Sequence, residues 1–252
     1  MRTMRTCLIL ALAVLALAAS ARADIYMKQK THTDAIQMMG QSQPAKDVTT
    51  VTWLTENMAR TDNDDGTSVL FAADKKILYM IDHAKKQYAE MPLDFDKMMQ
   101  EAAGDDAEAK EAMAKMPGLM KNMMGGMSAK VTETDEMKKI GDWNCRKYLV
   151  EMNMGMAGTV MAESWATSDL KIDYVKVFTA ASARMAAMPG FEKIIQEMKR
   201  IKGFVVYQAS KTKMMGSEIG STTELLEASE KPAPAGTYDL PAGYKKVKAF
   251  KG

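Results

Sequence analysis

The sequence is poor in the side chains that most often carry out catalysis or hold metal ions. Its 252 residues include two cysteines and two histidines, His32 and His83. It contains no HxxH, HExxH, CxxC or GxSxG spacing and no glycine-rich phosphate loop. The local signatures of zinc hydrolases, disulfide oxidoreductases, serine hydrolases and nucleotide-binding enzymes are therefore missing. We expect a protein that is not an enzyme and that needs no cofactor.

Long apolar runs are also scarce, and the only long one lies at the start of the chain. Two arginines precede residues 8–19, which are apolar but too few to span a bilayer, and the A-x-A cleavage site Ala21-Arg22-Ala23 follows. This pattern predicts a signal peptide over residues 1–23 and a mature chain that begins at Asp24. We expect a periplasmic or secreted protein with no transmembrane anchor after signal removal.

The mature chain has no excess of charge of either sign. The full sequence has 34 basic and 32 acidic residues. Three arginines and no acidic residues belong to the predicted signal peptide, which leaves 31 basic residues against 32 acidic ones. A nearly neutral chain offers no electrostatic footprint for nucleic acid. We therefore expect no nucleic-acid partner.

Only one cysteine, Cys145, remains after removal of the signal peptide. A single thiol cannot form an internal disulfide, so a packed core has to stabilise the fold. Cys145 is interpreted either as a small buried apolar side chain or as a thiol that links two copies or takes part in redox chemistry. Nearby Arg146 and Lys147 could lower its pKa in the second case.

Alternation of apolar and polar residues, with many β-branched residues, predicts strands along most of the mature chain. Residues 25–33 are predicted to form an edge or first strand. The acidic turn at residues 62–66 lacks two ligands of an EF-hand calcium loop, so it is interpreted as a hairpin turn. The other main predicted strands are residues 47–55, 68–73, 76–83, 86–91, 128–137, 143–154, 159–167, 203–215 and 218–228.

Two segments have helical periodicity instead. The first, within residues 95–127, holds eight methionines, and Pro117 predicts a kink or restart in it. The second covers about residues 170–200, where Tyr174 and Phe178 share one face and Pro189-Gly190 interrupts the helix. The predicted fold is α+β: a curved antiparallel sheet, or incomplete β-barrel, in a single domain over residues 24–252. Two helical insertions, at about 94–127 and 170–200, cover the sheet.

Methionine, with 26 residues in the chain, is the abundant feature that most needs an interpretation. As a soft thioether ligand it suggests a Cu(I) site, for which the best cluster is Met152, Met154 and Met156. As a flexible apolar side chain it suits a surface that adapts to varied ligands. It also fills ordinary protein cores, and all three interpretations remain open.

Three short stretches carry a resemblance to known proteins: GDWNCRKY at residues 141–148, Glu163-Ser164-Trp165, and Pro241-Ala242-Gly243-Tyr244. In these stretches the chain is similar to a family of exported bacterial proteins described as a domain of unknown function. Its layout resembles that of the periplasmic lipoprotein-carrier (Lol-type) superfamily. The resemblance implies an incomplete β-barrel that holds an acyl chain beneath helical lids.

The space between a curved sheet and its helices is a natural apolar pocket. The predicted lining residues from the strands are Trp53, Phe71, Tyr79 and Trp165, and those from the first insertion are Met98, Met116, Leu119, Met120 and Met123. The leading hypothesis is a periplasmic, non-enzymatic binding or carrier protein for a lipid or other apolar molecule, with another envelope protein as a further partner. The alternatives are a methionine-based Cu(I) buffer or carrier, and a structural or protein-interaction module without a ligand.

Overall fold

The computed structural model describes residues 23–38, 41–93, 126–155, 158–186, 191–214, 216–248 and 250. Strands dominate this part of the chain, and two helices accompany them. The strands are β1 (Asp24–Thr33), β2 (Ile36–Met38), β3 (Gln41–Gln43), β4 (Lys46–Leu54), β5 (Met58–Asn63), β6 (Thr67–Ala72), β7 (Ile77–Asp82), β8 (Gln87–Pro92), β9 (Ser128–Ile140), β10 (Trp143–Asn153), β11 (Thr159–Thr167), β12 (Phe204–Met214), β13 (Ser217–Lys231) and β14 (Lys245–Val247). The helices are α1 (Tyr174–Ala186) and α2 (Glu192–Met198).

Twelve of the strands form one curved, open sheet in the order β14-β8-β7-β6-β5-β4-β1-β13-β12-β11-β10-β9. Neighbouring strands are antiparallel except β14, which pairs with β8 in parallel. β2 and β3 form a separate hairpin. The antiparallel sheet predicted from the sequence is confirmed, and it is not closed into a barrel. The ends of the strands listed above as predicted differ from the observed ends by at most three residues.

The position of β1 decides between the two alternatives given for residues 25–33. β1 is the first strand of the described chain, but it is not an edge strand, because it lies inside the sheet between β4 and β13. Its polar side chains face similar ones on both neighbours, and the Thr31 and Thr223 hydroxyls are 3.0 Å apart. Loose alternation on β1 therefore reflects a polar region inside the sheet and not an edge.

One face of the sheet, here called the helix face, packs against α1 and α2. Ile25, Leu54, Ala59 and Phe71 lie side by side on it and contact Val177 of α1. A second group, with Val131, Tyr148 and Val150 at its centre, contacts Met198 and Ile201 at the end of α2. α2 also buries Ile194 and Ile195. Burial of these apolar side chains provides the main stabilising free energy on this face.

The opposite face of β6 and β7 carries a separate core. Leu70, Ala72, Tyr79 and Ile81 are buried there under residues 237–247, here called the C-terminal segment. Tyr238, Leu240 and Tyr244 supply its apolar contacts. We call this side of the sheet the tail face.

The second predicted helical insertion is present as α1 and α2, and its predicted break at Pro189-Gly190 falls in residues 187–190, which lie outside the described residues. The first insertion, predicted at about 94–127, also lies outside them apart from Gly126 and Met127. Within the part of the chain that the structure describes, no helix is long and apolar enough to cross a membrane.

Candidate functional site

A cavity of about 630 Å³ lies between the helix face and the two helices. Ligand sites for small molecules typically have volumes of roughly 300–1,000 Å³ and mostly apolar linings. The described residues that line it are Met27, Gln29, Tyr174, Val175, Val177, Phe178, Thr179, Met198, Lys199, Ile201, Gly203, Phe204 and Val205. The size and apolar character of this cavity make it the candidate functional site.

Local periodicity explains why these side chains meet. On β1, Met27 and Gln29 are two residues apart, so both point to the helix face. On α1, Tyr174 and Phe178 are four residues apart and lie on one face of the helix, as the sequence predicts. Met198 and Ile201 come from the end of α2 and the turn after it, where the chain runs back into the sheet.

Gly203 lets the chain make this return. Its φ is +98°, and a Cβ at this position would lie 2.3 Å from the carbonyl oxygen of Thr167. Any other residue would be strained both by the left-handed backbone and by the contact with β11. The close approach brings Phe204 and Val205, at the start of β12, to the wall of the cavity.

The described lining of the cavity is mostly apolar, with a few polar side chains among it. Its polar side chains are those of Gln29, Thr179, Tyr174 and Lys199. No serine, cysteine, histidine or carboxylate belongs to the described lining. Such a set can hold an apolar molecule and orient a polar end of it.

The structure separates the four predicted lining residues that come from strands. Phe71 lies on the helix face, where it packs with Ile25 and Leu54. Its cross-strand partner is Leu78, so the next residue, Tyr79, points to the tail face. Period-two alternation therefore places Phe71 and Tyr79 on opposite sides of the sheet, and they cannot line one pocket.

The two predicted tryptophans also lie apart from the cavity lining. Trp53 alternates with the buried Leu54, so it points away from the helix face and packs against Tyr26, with ring centroids 4.9 Å apart and the rings tilted by 59°. Trp165 is buried at β11, with the ammonium groups of Lys138 and Lys147 within 5.7 Å and 5.9 Å of its ring centroid. A hydrogen bond to Glu163 raises the pKa of Lys147. The remaining predicted residues, Met98, Met116, Leu119, Met120 and Met123, lie outside the described part of the chain.

Sequence reasoning missed Met27, Met198, Ile201 and Phe204 as lining residues. Each is one apolar residue among many, and β1 lies near β12 only because β13 pairs with both strands. The face shared by Tyr174 and Phe178 was the available signal, since a helix covering a sheet turns its apolar side inward.

The methionines proposed for Cu(I) are only partly described. Met152 packs against the cluster that contains Val131 and Val150, Met154 is half-buried, and Met156 lies outside the described residues. Among the described residues, no group of three or more His, Cys, Asp or Glu is arranged to hold a metal ion. A site made of methionine alone stays a prediction.

Cys145 is fully buried among Trp165, Phe204 and Val206. Burial raises the pKa of its thiol. This direction is opposite to the lowering that nearby Arg146 and Lys147 suggested, because burial, and with it the negative charge of Asp169, disfavours the thiolate. The buried apolar interpretation therefore fits the described surroundings.

One hydrogen-bonded network on the tail face contains a serine and a histidine. The Ser68 hydroxyl is 2.7 Å from Nε2 of His83 and also donates to the Asp62 carboxylate, while Nδ1 of His83 is 2.9 Å from the Tyr244 hydroxyl. In a serine-hydrolase triad the histidine accepts the serine proton and the acid holds the histidine. Here the serine proton is committed to the acid and Ser68 is buried, so the network holds the C-terminal segment in place.

No family model and no curated protein matches the chain. Among the solved structures that match, one is a domain from Vibrio parahaemolyticus described as an outer membrane lipoprotein-sorting protein domain. The match covers 91% of this chain and 94% of that domain, with 8% sequence identity and a TM-score of 0.36. A similarity of this size leaves the function to be argued from the residues of the chain itself.

Proposed function

We propose that this protein is an exported, non-enzymatic binding or carrier protein for a lipid-like or other apolar ligand. The observation that carries the proposal is the cavity of about 630 Å³ between the helix face and α1 and α2. Transfer of apolar surface out of water into such a space is the general driving force for binding of acyl chains and similar molecules.

The proposal includes the predicted maturation of the chain. Residues 1–23 act as a signal peptide, and the periplasm or the exterior of the cell is the site of function. Residues 24–252 then form one domain of the incomplete-barrel type. The lipid or acyl chain is the main partner, and delivery would involve another envelope protein.

A matched pair of surface variants tests the proposal. Val175 lines the cavity and is 56% exposed, whereas Leu226 on β13 is 45% exposed and is not among the cavity's described lining residues. A carboxylate in contact with an apolar ligand loses solvation without gaining a partner. We expect Val175→Asp to weaken binding of a fluorescent fatty acid to the delipidated protein by about tenfold, or ~1.4 kcal/mol, and Leu226→Asp to leave it unchanged.

Fluorescence titration measures the two affinities, and thermal melts show that both variants are folded. The proposal fails if the wild-type protein takes up no fatty acid, or if the two variants bind equally well. Native mass spectra of the protein purified from its exported compartment distinguish the alternatives. A lipid adduct supports the carrier, a copper adduct supports the Cu(I) hypothesis, and bare protein together with absent binding supports a structural module.

A further inference from the structure

The described lining of the cavity contains one ammonium group and no carboxylate. The cation is Lys199, which follows α2 directly. Its position at the end of the helix is favourable by itself, because the helix dipole places partial negative charge there. That effect explains a lysine near the end of α2, but it does not explain why the ammonium group has no acidic partner among the described residues.

The neighbouring cations differ from Lys199 in this respect. Arg200 is 3.2 Å from the Glu197 carboxylate, and Lys202 is 3.4 Å from Glu133. The contact recorded for the Lys199 ammonium is with the neutral amide oxygen of Gln196, at 3.4 Å. Glu197, the nearest acid in sequence, also accepts the backbone N–H of Val131, and this bond lowers its pKa. The carboxylate of Glu197 is thus engaged with Val131 and Arg200.

From this arrangement we infer that the ligand is an amphiphile with an anionic head, a carboxylate or a phosphate, and that Lys199 binds that head. The inference rests on the proposed function and specifies its ligand class. The apolar tail lies against Met27, Phe178 and Phe204 in the cavity. The head lies at the exposed end near Lys199, where a charge-assisted hydrogen bond to the anion replaces contacts with water. Lys199 is then the residue that determines specificity for the head.

A displacement assay separates the contribution of the head from that of the tail. The delipidated protein is loaded with a neutral apolar dye, phenylnaphthylamine, and titrated with four competitors of equal chain length: laurate, lauryl phosphate, lauryl alcohol and lauryl trimethylammonium. We expect one or both anions to displace the dye at about tenfold lower concentration than the alcohol, since a charge-assisted hydrogen bond to an ammonium group is stronger than a neutral one. The cationic competitor is expected to be the weakest.

The variants assign this preference to one side chain. Lys199→Gln should abolish the preference for the anion while the alcohol binds as before, and Lys199→Arg should retain it. Lys202→Gln is the matched control, because Lys202 is a neighbouring exposed cation that does not line the cavity. It should retain the full preference.

The outcomes distinguish this inference from the proposed function. If all four competitors displace the dye equally, or if Lys199→Gln keeps the preference, the inference is wrong and the apolar carrier stands. Equal loss of the preference in Lys202→Gln also overturns it, because general surface charge would then explain the effect. If neither the dye nor any competitor binds, the proposed function itself fails. A preference for only one of the two anions supports the inference and identifies the head as carboxylate or phosphate.

Discussion

Single residues determine where this chain can turn, and Gly203 beside the cavity is one such residue. Its left-handed φ of +98° and the contact with Thr167 act together, whereas Gly216 has a φ of +81° with no atom near the position of a Cβ. Both glycines avoid the cost of a left-handed backbone, which is ~1–2 kcal/mol for other residues. Of these two glycines, only Gly203 also avoids a collision with the backbone of another strand.

We predict that Gly203→Ala destabilises the protein by about 3 kcal/mol or more, because it combines backbone strain with a steric clash. Gly216→Ala should lower the free energy of unfolding by only about 1 kcal/mol, because it adds the strain of a left-handed backbone without a steric clash. Urea unfolding of the wild type and both variants measures the difference in the free energy of unfolding. Similar losses in the two variants would show that the approach to Thr167 has no energetic importance.

Residue-level register also explains why the candidate site was only partly predictable. The sequence indicates that Phe71 and Tyr79 are apolar strand residues, which is correct, since both are buried. It does not indicate that β6 and β7 pair so that Phe71 meets Leu78. A shift of one residue in this register would exchange the faces of the whole strand. Burial can therefore be read from composition, but membership of one pocket cannot.

Among the elements, the C-terminal segment has the least obvious role from sequence. It covers the tail face by packing the partly buried Tyr238 and Tyr244 against it and by pairing β14 with β8. A guanidinium N–H of Arg60 donates to the carbonyl oxygens of Thr237 and Asp239. Burial, and secondly the negative charge of Asp24, raise the pKa of Tyr238. The Tyr238 side chain is thus a neutral part of this core.

Tyr244 makes both an apolar and a polar contact. Its ring packs on the tail-face core, and its hydroxyl is hydrogen-bonded to His83. We predict a loss of about 1 kcal/mol for Tyr244→Phe, the usual net value of one hydrogen bond. Tyr244→Ala should lose about 3 kcal/mol, because removal of a large aromatic ring also leaves a space. Chemical unfolding monitored by circular dichroism provides both values.

Lys246→Ala serves as the control on the same segment. Lys246 forms an exposed ion pair with Glu90, and such pairs typically contribute below about 1 kcal/mol. If Lys246→Ala destabilises the protein as much as Tyr244→Ala, charge and not packing holds the segment in place.

Most strands of ordinary length were predictable, with the exception of β5, whereas the short strands β2, β3 and β14 were not. Each of these has three residues, which is too short for alternation to be visible. The order of the strands in the sheet could not be predicted from the sequence either. Connections between β4 and β8 are local, but β1 pairs with β13 across most of the chain length. Local patterns contain no information about such a pairing, which places β1 in the interior of the open sheet.

At the scale of the whole molecule, an open sheet leaves two edges to be protected from pairing with other chains. The short strand β14 forms one edge. The other edge is β9, which has 13 residues and buries only Val131 among them. A register irregularity opposite Arg146–Tyr148 and a series of charged residues interrupt its regular edge. The charged residues are Lys130, Glu133, Asp135, Glu136, Lys138 and Lys139.

We predict that these charges keep the protein from associating through β9. The double variant Asp135→Val and Lys139→Val leaves the net charge unchanged but provides an edge with two more β-branched apolar residues. We expect its light-scattering mass to rise with protein concentration. The control, Lys211→Val with Glu224→Val, also removes one charge of each sign from exposed positions, but on the inner strands β12 and β13. It should behave like the wild type. If both double variants associate to the same extent, the added surface hydrophobicity causes the association and the free edge does not. If neither double variant associates, the charges on β9 are not needed to keep the protein from associating.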